Sequence, residues 1–347
     1  MVLRSMNRQA TLDGLDLYRR LDRPHPETTV DDDGRITAVL DQLHSDLKVA
    51  LSRPSVVRGW RAQALFASTV IALDGCEMMT QVDLGEVFVD GDDAKAPDFF
   101  LHLRGGRRIL VDVKSAKAPA GVGTLQTFSA KDVARMRRFG DLYAAEVFLA
   151  FYFSSMTLWA LVSLDDLTCG PGGGYRISFE DVVRLNKMGL LGDRSIGVET
   201  PLSFTVFPDA SQPNKIDDHG RAELTVGAVS VSVAGRELLE PQDRRVATFL
   251  MTYGTWSTAE STQAADGKLL SATWSVAPDE LLNEGLQDFE VIGTLSSMYA
   301  TAFELGTTGP AGYTGLQIEP DPGALIALIP HDYASENLPL WRFEQVQ

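Results

Sequence analysis

Asp98, Asp112 and Lys114 are the residues whose types and spacing best suit a chemical task. Pro97-Asp98 opens an apolar segment, and thirteen residues separate Asp98 from Asp112-Val113-Lys114. Alternate side chains of an extended strand share a face. Ile109, Val111 and Val113 therefore point one way, and Leu110, Asp112 and Lys114 the other. Arg104-Gly105-Gly106-Arg107 reads as a hairpin turn that folds a 98–103 strand back along a 108–115 strand. Asp98 then lies near Asp112. Two neighbouring carboxylates repel unless a proton or cation sits between them. A hard divalent ion such as Mg²⁺ or Mn²⁺ suits them, because it prefers oxygen ligands. Such an ion lowers the pKa of a bound water and stabilises charge on a phosphoryl oxygen, and a lysine beside it can orient or deprotonate that water. These are parts for metal-dependent phosphodiester hydrolysis.

The elements that must position these groups follow from periodicity. Ile36, Val39, Leu40, Leu43 and Leu47 recur at helical spacing, so 35–51 is an amphipathic helix. A second helix runs from Ser55 to Leu73. Cys76–Val82 and Gly85–Val89 read as one or two strands, and 118–127 as a loop. Ser129 and Asp132 have capping-box spacing and open a helix to Tyr143. Val147–Phe153 and Leu158–Leu164 read as buried strands. Residues 1–34 read as a loose leader, and Gly170–Gly174 as a linker. The expected division is 1–54 leader and helix, 55–168 the domain carrying the acids, and 175–347 an acidic α+β domain. In that last part 181–191, 242–253 and 284–305 read as helices, 223–233 as a strand or hairpin, and 325–329 as a strand.

With these residues and this order of elements, the chain resembles the PD-(D/E)xK nuclease superfamily, the restriction-endonuclease-like fold. Pro97-Asp98 matches its PD element and Asp112-Val113-Lys114 its (D/E)xK element, over residues 55–165. The resemblance implies an α/β fold with an αβββαβ core, a mixed sheet flanked by helices. It also implies Mg²⁺ or Mn²⁺ ligation by Asp98 and Asp112 and a catalytic role for Lys114. The family often adds a glutamate from the helix before the first strand. Here Gln63 stands at that position, a departure, since its neutral carbonyl oxygen is a weaker metal ligand. Glu86 and Glu77 are the alternative third acids. Restriction, anti-phage defence and repair are roles the resemblance suggests.

Charge is consistent with a local nucleic-acid surface only. The formal net charge is −16, which excludes a protein coated in positive charge. Residues 101–150 nevertheless hold 9 basic and 4 acidic side chains, whereas 251–347 hold 2 basic and 13 acidic. Lys131, Arg135 and Arg138 fall on one helical face. Arg104, Arg107, Arg108 and Lys117 flank the hairpin. Together they form the expected backbone-binding patch, for DNA ahead of RNA. The acidic C-terminal half is expected to mediate homo-oligomerisation, bind a protein partner or sense a signal. No apolar run is long enough to span a membrane, Met1–Gly14 lacks a secretory core, and two cysteines exclude a disulfide scaffold. The expectation is a cytoplasmic Mg²⁺-dependent endonuclease. The rival reading is a degenerate nuclease fold serving as scaffold in a complex.

Overall fold

The computed structural model describes residues 10–344 except 24, 26, 84–86, 92, 117–124, 171 and 282–286. The chain begins with α1 (Ala10–Leu21), α2 (Asp33–Leu51) and α3 (Pro54–Leu73). Helix α3 starts with proline at its first turn, where the missing N–H costs nothing, and ends on Asp74 in the left-handed region. Then come β1 (Cys76–Gln81), β2 (Phe99–Leu103), β3 (Arg108–Ala116), β4 (Leu125–Phe128), α4 (Ala130–Tyr143), β5 (Glu146–Phe153) and β6 (Leu158–Ser163). Five of these strands form one mixed sheet in the order β1-β2-β3-β5-β6. Strands β1, β2 and β3 run antiparallel, β3 and β5 are parallel across helix α4, and β6 returns antiparallel to β5. The fold is thus mixed α/β.

Both sheet faces are covered. Phe99, Val111, Phe148 and Trp159 face α3, with Phe66 edge-on to Trp159 at 5.5 Å. Leu110, Leu149 and Phe151 face α4 through Val133 and Met136. Burial on both faces explains why β5 reads as one unbroken apolar run.

Beyond β6 lie β7 (Thr168–Cys169), β8 (Tyr175–Ser178), α5 (Phe179–Arg184), β9 (Ser195–Val198), β10 (Leu202–Pro208), β11 (Lys215–Ile216), β12 (Ala222–Glu223), β13 (Val226–Val233), β14 (Arg236–Glu237) and α6 (Pro241–Tyr253). The last part holds β15 (Ser257–Ala265), β16 (Lys268–Ala277), β17 (Glu290–Thr294), α7 (Leu295–Thr307), β18 (Thr308–Gly309), β19 (Gly312–Tyr313), α8 (Ala324–Leu328) and β20 (Leu340–Phe343). A second five-stranded sheet runs β14-β13-β10-β16-β15.

Several expectations need correction. The supposed leader contains helix α1. Val87–Val89 is not a strand, and 84–86 lie outside the described residues. The end of the supposed loop is β4, paired with β8. Gly170–Gly174 is the turn between the paired strands β7 and β8. One core runs past it, joining Leu65 and Phe66 to Val246, Leu295 and Phe303, so packing does not break there. Helix α5 stops at Arg184 with Leu185 as its C-cap, and beyond it the Asn186 side-chain oxygen accepts from the Leu161 and Met188 amides. Of the expected 284–305 helix, 284–286 lie outside the described residues, Glu290–Thr294 is strand β17 and α7 begins at Leu295. Thr294 and Ser297 form a capping box at that junction, which stops the helix from extending backwards. Residues 325–329 are largely helical, not a strand.

Arg61 ties the two halves together. Its side chain is 4% exposed. Its guanidinium donates to Glu304 Oε2 at 2.7 Å, to the Thr307 carbonyl at 3.3 Å and to the Gly315 carbonyl, and its Cζ lies 3.9 Å from the Tyr313 ring centroid. Removing it takes the cation from the Glu304 carboxylate and the donor from the Gly315 carbonyl, while the Thr307 carbonyl keeps the Thr314 amide at 2.8 Å. Arg61→Ala should cost about 3 kcal/mol. A urea midpoint within experimental error of wild type would contradict this.

Candidate active site

The site is built on the β2–β3 hairpin. Gly105 and Gly106 have φ of +92° and +89°, values other residues rarely adopt, so the chain can reverse there. The resulting register pairs Phe99 with Val111 and Phe100 with Leu110, which puts Asp98 beside Asp112. The Asp98 carboxylate then accepts from the Val113 amide at 2.5 Å through Oδ2 and from Gln63 Nε2 at 2.7 Å through Oδ1. The Lys114 ammonium forms an ion pair with Asp112 Oδ2. That contact is not an aligned hydrogen bond, and Oδ2 accepts none from any other described residue. Asp98, Asp112, Lys114 and Gln63, all four sequence candidates for the core of the site, therefore meet.

Both carboxylates are buried, Asp98 at 8% exposure and Asp112 at 4%. Burial first, then the charge of Asp112, push the Asp98 pKa up to about 7. The site wants more positive charge than Lys114 alone provides.

Asp83 is the acid that sequence reasoning missed. It follows β1, whose last residue Gln81 pairs with Phe99, and the Val82 amide donates to the Asp98 carbonyl at 2.9 Å. The Asp83 charge acts on Asp98, and burial holds the Asp83 pKa above the usual carboxylate range. The end of β1 could have revealed it, but a strand end is poorly marked in sequence. Of the alternatives, Glu77 sits toward the other end of β1 and pairs with His102 at 3.1 Å. Glu86 lies outside the described residues.

Asp98 and Asp112 fit a hard divalent cation. They are buried oxygen donors, and Asp112 Oδ2 has only the lysine against it. Among the described residues no group of three or more His, Cys, Asp or Glu side chains is placed to hold a metal ion. Mg²⁺ needs no such group, since it keeps several waters and takes one or two carboxylates.

The basic patch divides. Arg104 binds the Asp74 carboxylate at 2.6 Å, and Arg107 grips Glu146 at 2.8 and 2.6 Å. Arg108 stands four residues before Asp112, about 13 Å along the strand. These three lie at the hairpin turn, away from the acids, so the expected single patch is not formed. Lys117 is outside the described residues. The α4 cations form a separate group. Asp132 at the start of α4 is held below the usual carboxylate range by the Ser129 hydroxyl, then by Lys95, with Arg135 and Lys114 contributing. Lys131 precedes Asp132 and is exposed. Arg138 lies 3.7 Å from Asp93. Lys95, whose amide donates to the Arg135 carbonyl at 3.1 Å, is a basic neighbour absent from the sequence expectation.

No family model and no curated protein matches the chain. Among solved structures, the 1.6 Å structure of Hjc, a Holliday junction resolvase from Archaeoglobus fulgidus, is similar at 17% identity and a TM-score of 0.27, covering 37% of this chain and 86% of that one. No helix among the described residues is long and apolar enough to cross a membrane.

Asp98 holds its proton more tightly folded than unfolded. In metal-free buffer its contribution to stability is therefore lost as pH rises from about 4 to 7. Asparagine keeps an oxygen for the Val113 amide and offers an NH₂ to a flipped Gln63 amide. Asp98→Asn in EDTA should thus be more stable than wild type at pH 8, by on the order of 3 kcal/mol, with the gap closing toward pH 4. Urea unfolding across that range checks it, and a gap independent of pH would refute it.

Proposed function

We propose that the chain is a metal-dependent nuclease that hydrolyses phosphodiester bonds, DNA ahead of RNA, with a restriction-endonuclease-like core formed by α3, β1–β3, α4, β5 and β6. One observation carries this reading: Asp98, Asp112, Lys114 and Gln63 converge within a few ångströms although they come from a helix and two strands. Asp98 and Asp112 would hold Mg²⁺ or Mn²⁺. When bound, such an ion supplies an activated water and neutralises charge on the scissile phosphate.

The chain's own residues do the rest. The Val113 amide and Gln63 fix the Asp98 carboxylate in place, so it is oriented before any ligand arrives. Lys114, anchored on Asp112, orients the attacking water and the phosphoryl oxygen beside it. Lys95, Lys131 and Arg135 lie along the start of α4 and suit phosphate contacts near the acids. Arg104, Arg107 and Arg108 have no part in this surface.

The scaffold reading retains one support: Gln63 occupies Asp98 Oδ1 where the family often has a carboxylate. Cleavage of supercoiled, linear and single-stranded DNA with Mg²⁺ or Mn²⁺ separates the two. Wild type should cleave, and Asp112→Ala and Lys114→Ala should each lose at least about 100-fold. Calorimetric titration should find Mn²⁺ binding in wild type that Asp112→Ala abolishes. Absence of both cleavage and metal binding in folded wild type would decide for the scaffold.

A further inference from the structure

Helix α2 is nineteen residues long and no residue in it is buried. A helix of that length gains most of its stability in a protein from an apolar face packed on something. The face exists: Ile36, Leu40, Leu47 and Leu51 form one line along the helix and are 37%, 58%, 49% and 55% exposed. Arg35 anchors the α1–α2 turn through a two-pronged pair with Asp22, at 2.8 and 2.6 Å. It lies about 100° or more around the helix from that line, so this anchor leaves the stripe open.

We propose that the stripe is a dimer interface and that its occupant is α2 of a second copy, running antiparallel. The positions are self-complementary about a two-fold axis between Leu43 and His44. In that arrangement Ile36 meets the second copy's Leu51, and Leu40 meets its Leu47. Charge selects the same direction. Asp31, Asp32 and Asp33 open the helix, and Lys48 and Arg53 close it, so antiparallel pairing sets acidic ends against basic ends. Parallel pairing would set three aspartates against three. The surface is also balanced: from Asp33 to Arg53 there are three acidic and three basic side chains. The acidic C-terminal half, by contrast, repels its own copy. A helix about 28 Å long covers less than the roughly 800 Å² per partner of a standard interface. Self-association is therefore in the micromolar range.

Sedimentation of the full chain over roughly 1 to 200 µM reads this directly. Wild type should pass from monomer to dimer. Leu40→Glu alone and Leu47→Lys alone should each weaken dimerisation at least tenfold. An equimolar mixture of the two should regain it, because the introduced carboxylate at 40 faces the introduced ammonium at 47. Both sites are exposed, so circular dichroism should match wild type. A wild type that stays monomeric throughout would overturn the proposal, whether residues 1–9 or another protein covers the stripe. So would a dimer that survives both single substitutions. Two monomeric variants that do not rescue each other would overturn the antiparallel register. None of these outcomes depends on cleavage.

Discussion

The register of the β2–β3 hairpin is the constraint on which the rest depends. Side chains alternate along a strand, so a slip of one residue would turn Asp112 and Lys114 toward α3 and push Val111 and Val113 out of the core. The turn at Gly105-Gly106 and the burial of Phe99 opposite Val111 act together against that slip. With the register held, the Val113 amide finds the Asp98 carboxylate, and α3 brings Gln63 to its other oxygen. The parallel pairing of β3 with β5 then carries the chain through α4, where Lys95, Arg135 and Lys114 all act on Asp132 at the helix start.

Two buried carboxylates side by side are a cost that the fold carries. Burial and mutual repulsion lift Asp98 toward neutrality, and Asp83 shares that strain. Such an arrangement contributes nothing to packing that an apolar pair would not do better. Its sense is chemical: a cation would relieve the repulsion that the fold has built in.

Charge elsewhere is organised to a different end. The hairpin arginines close ion pairs with Asp74 and Glu146, which pin the turn to neighbouring elements. Arg61 ties α3 to α7 and to the strands after it, so the C-terminal half is joined to the helix that carries Gln63. One of the two apolar cores spans both halves and includes Leu65 and Phe66 of α3.

Local patterning was enough to read much of this from residues alone. The helices 35–51, 55–73 and 129–143, the hairpin, and the meeting of Asp98 with Asp112 and Lys114 rest on periodicity, a two-glycine turn and a short motif, all of which act within a few residues; Gln63 was singled out only through the family resemblance. What failed depended on distant contacts. Asp83 matters only because β1 pairs with β2, and Arg104 and Arg107 are engaged only because Asp74 and Glu146 lie beside them in space. Leu295 and Phe303 continue an apolar spacing begun in β17, yet the chain changes from strand to helix where β9 stops pairing and Thr294 caps α7. Residue types and spacing determined the core of the site by themselves. Tertiary structure decided that Asp83 lies beside Asp98, that Arg104 and Arg107 are engaged and how far one core extends, because each of those follows from partners far away in the chain.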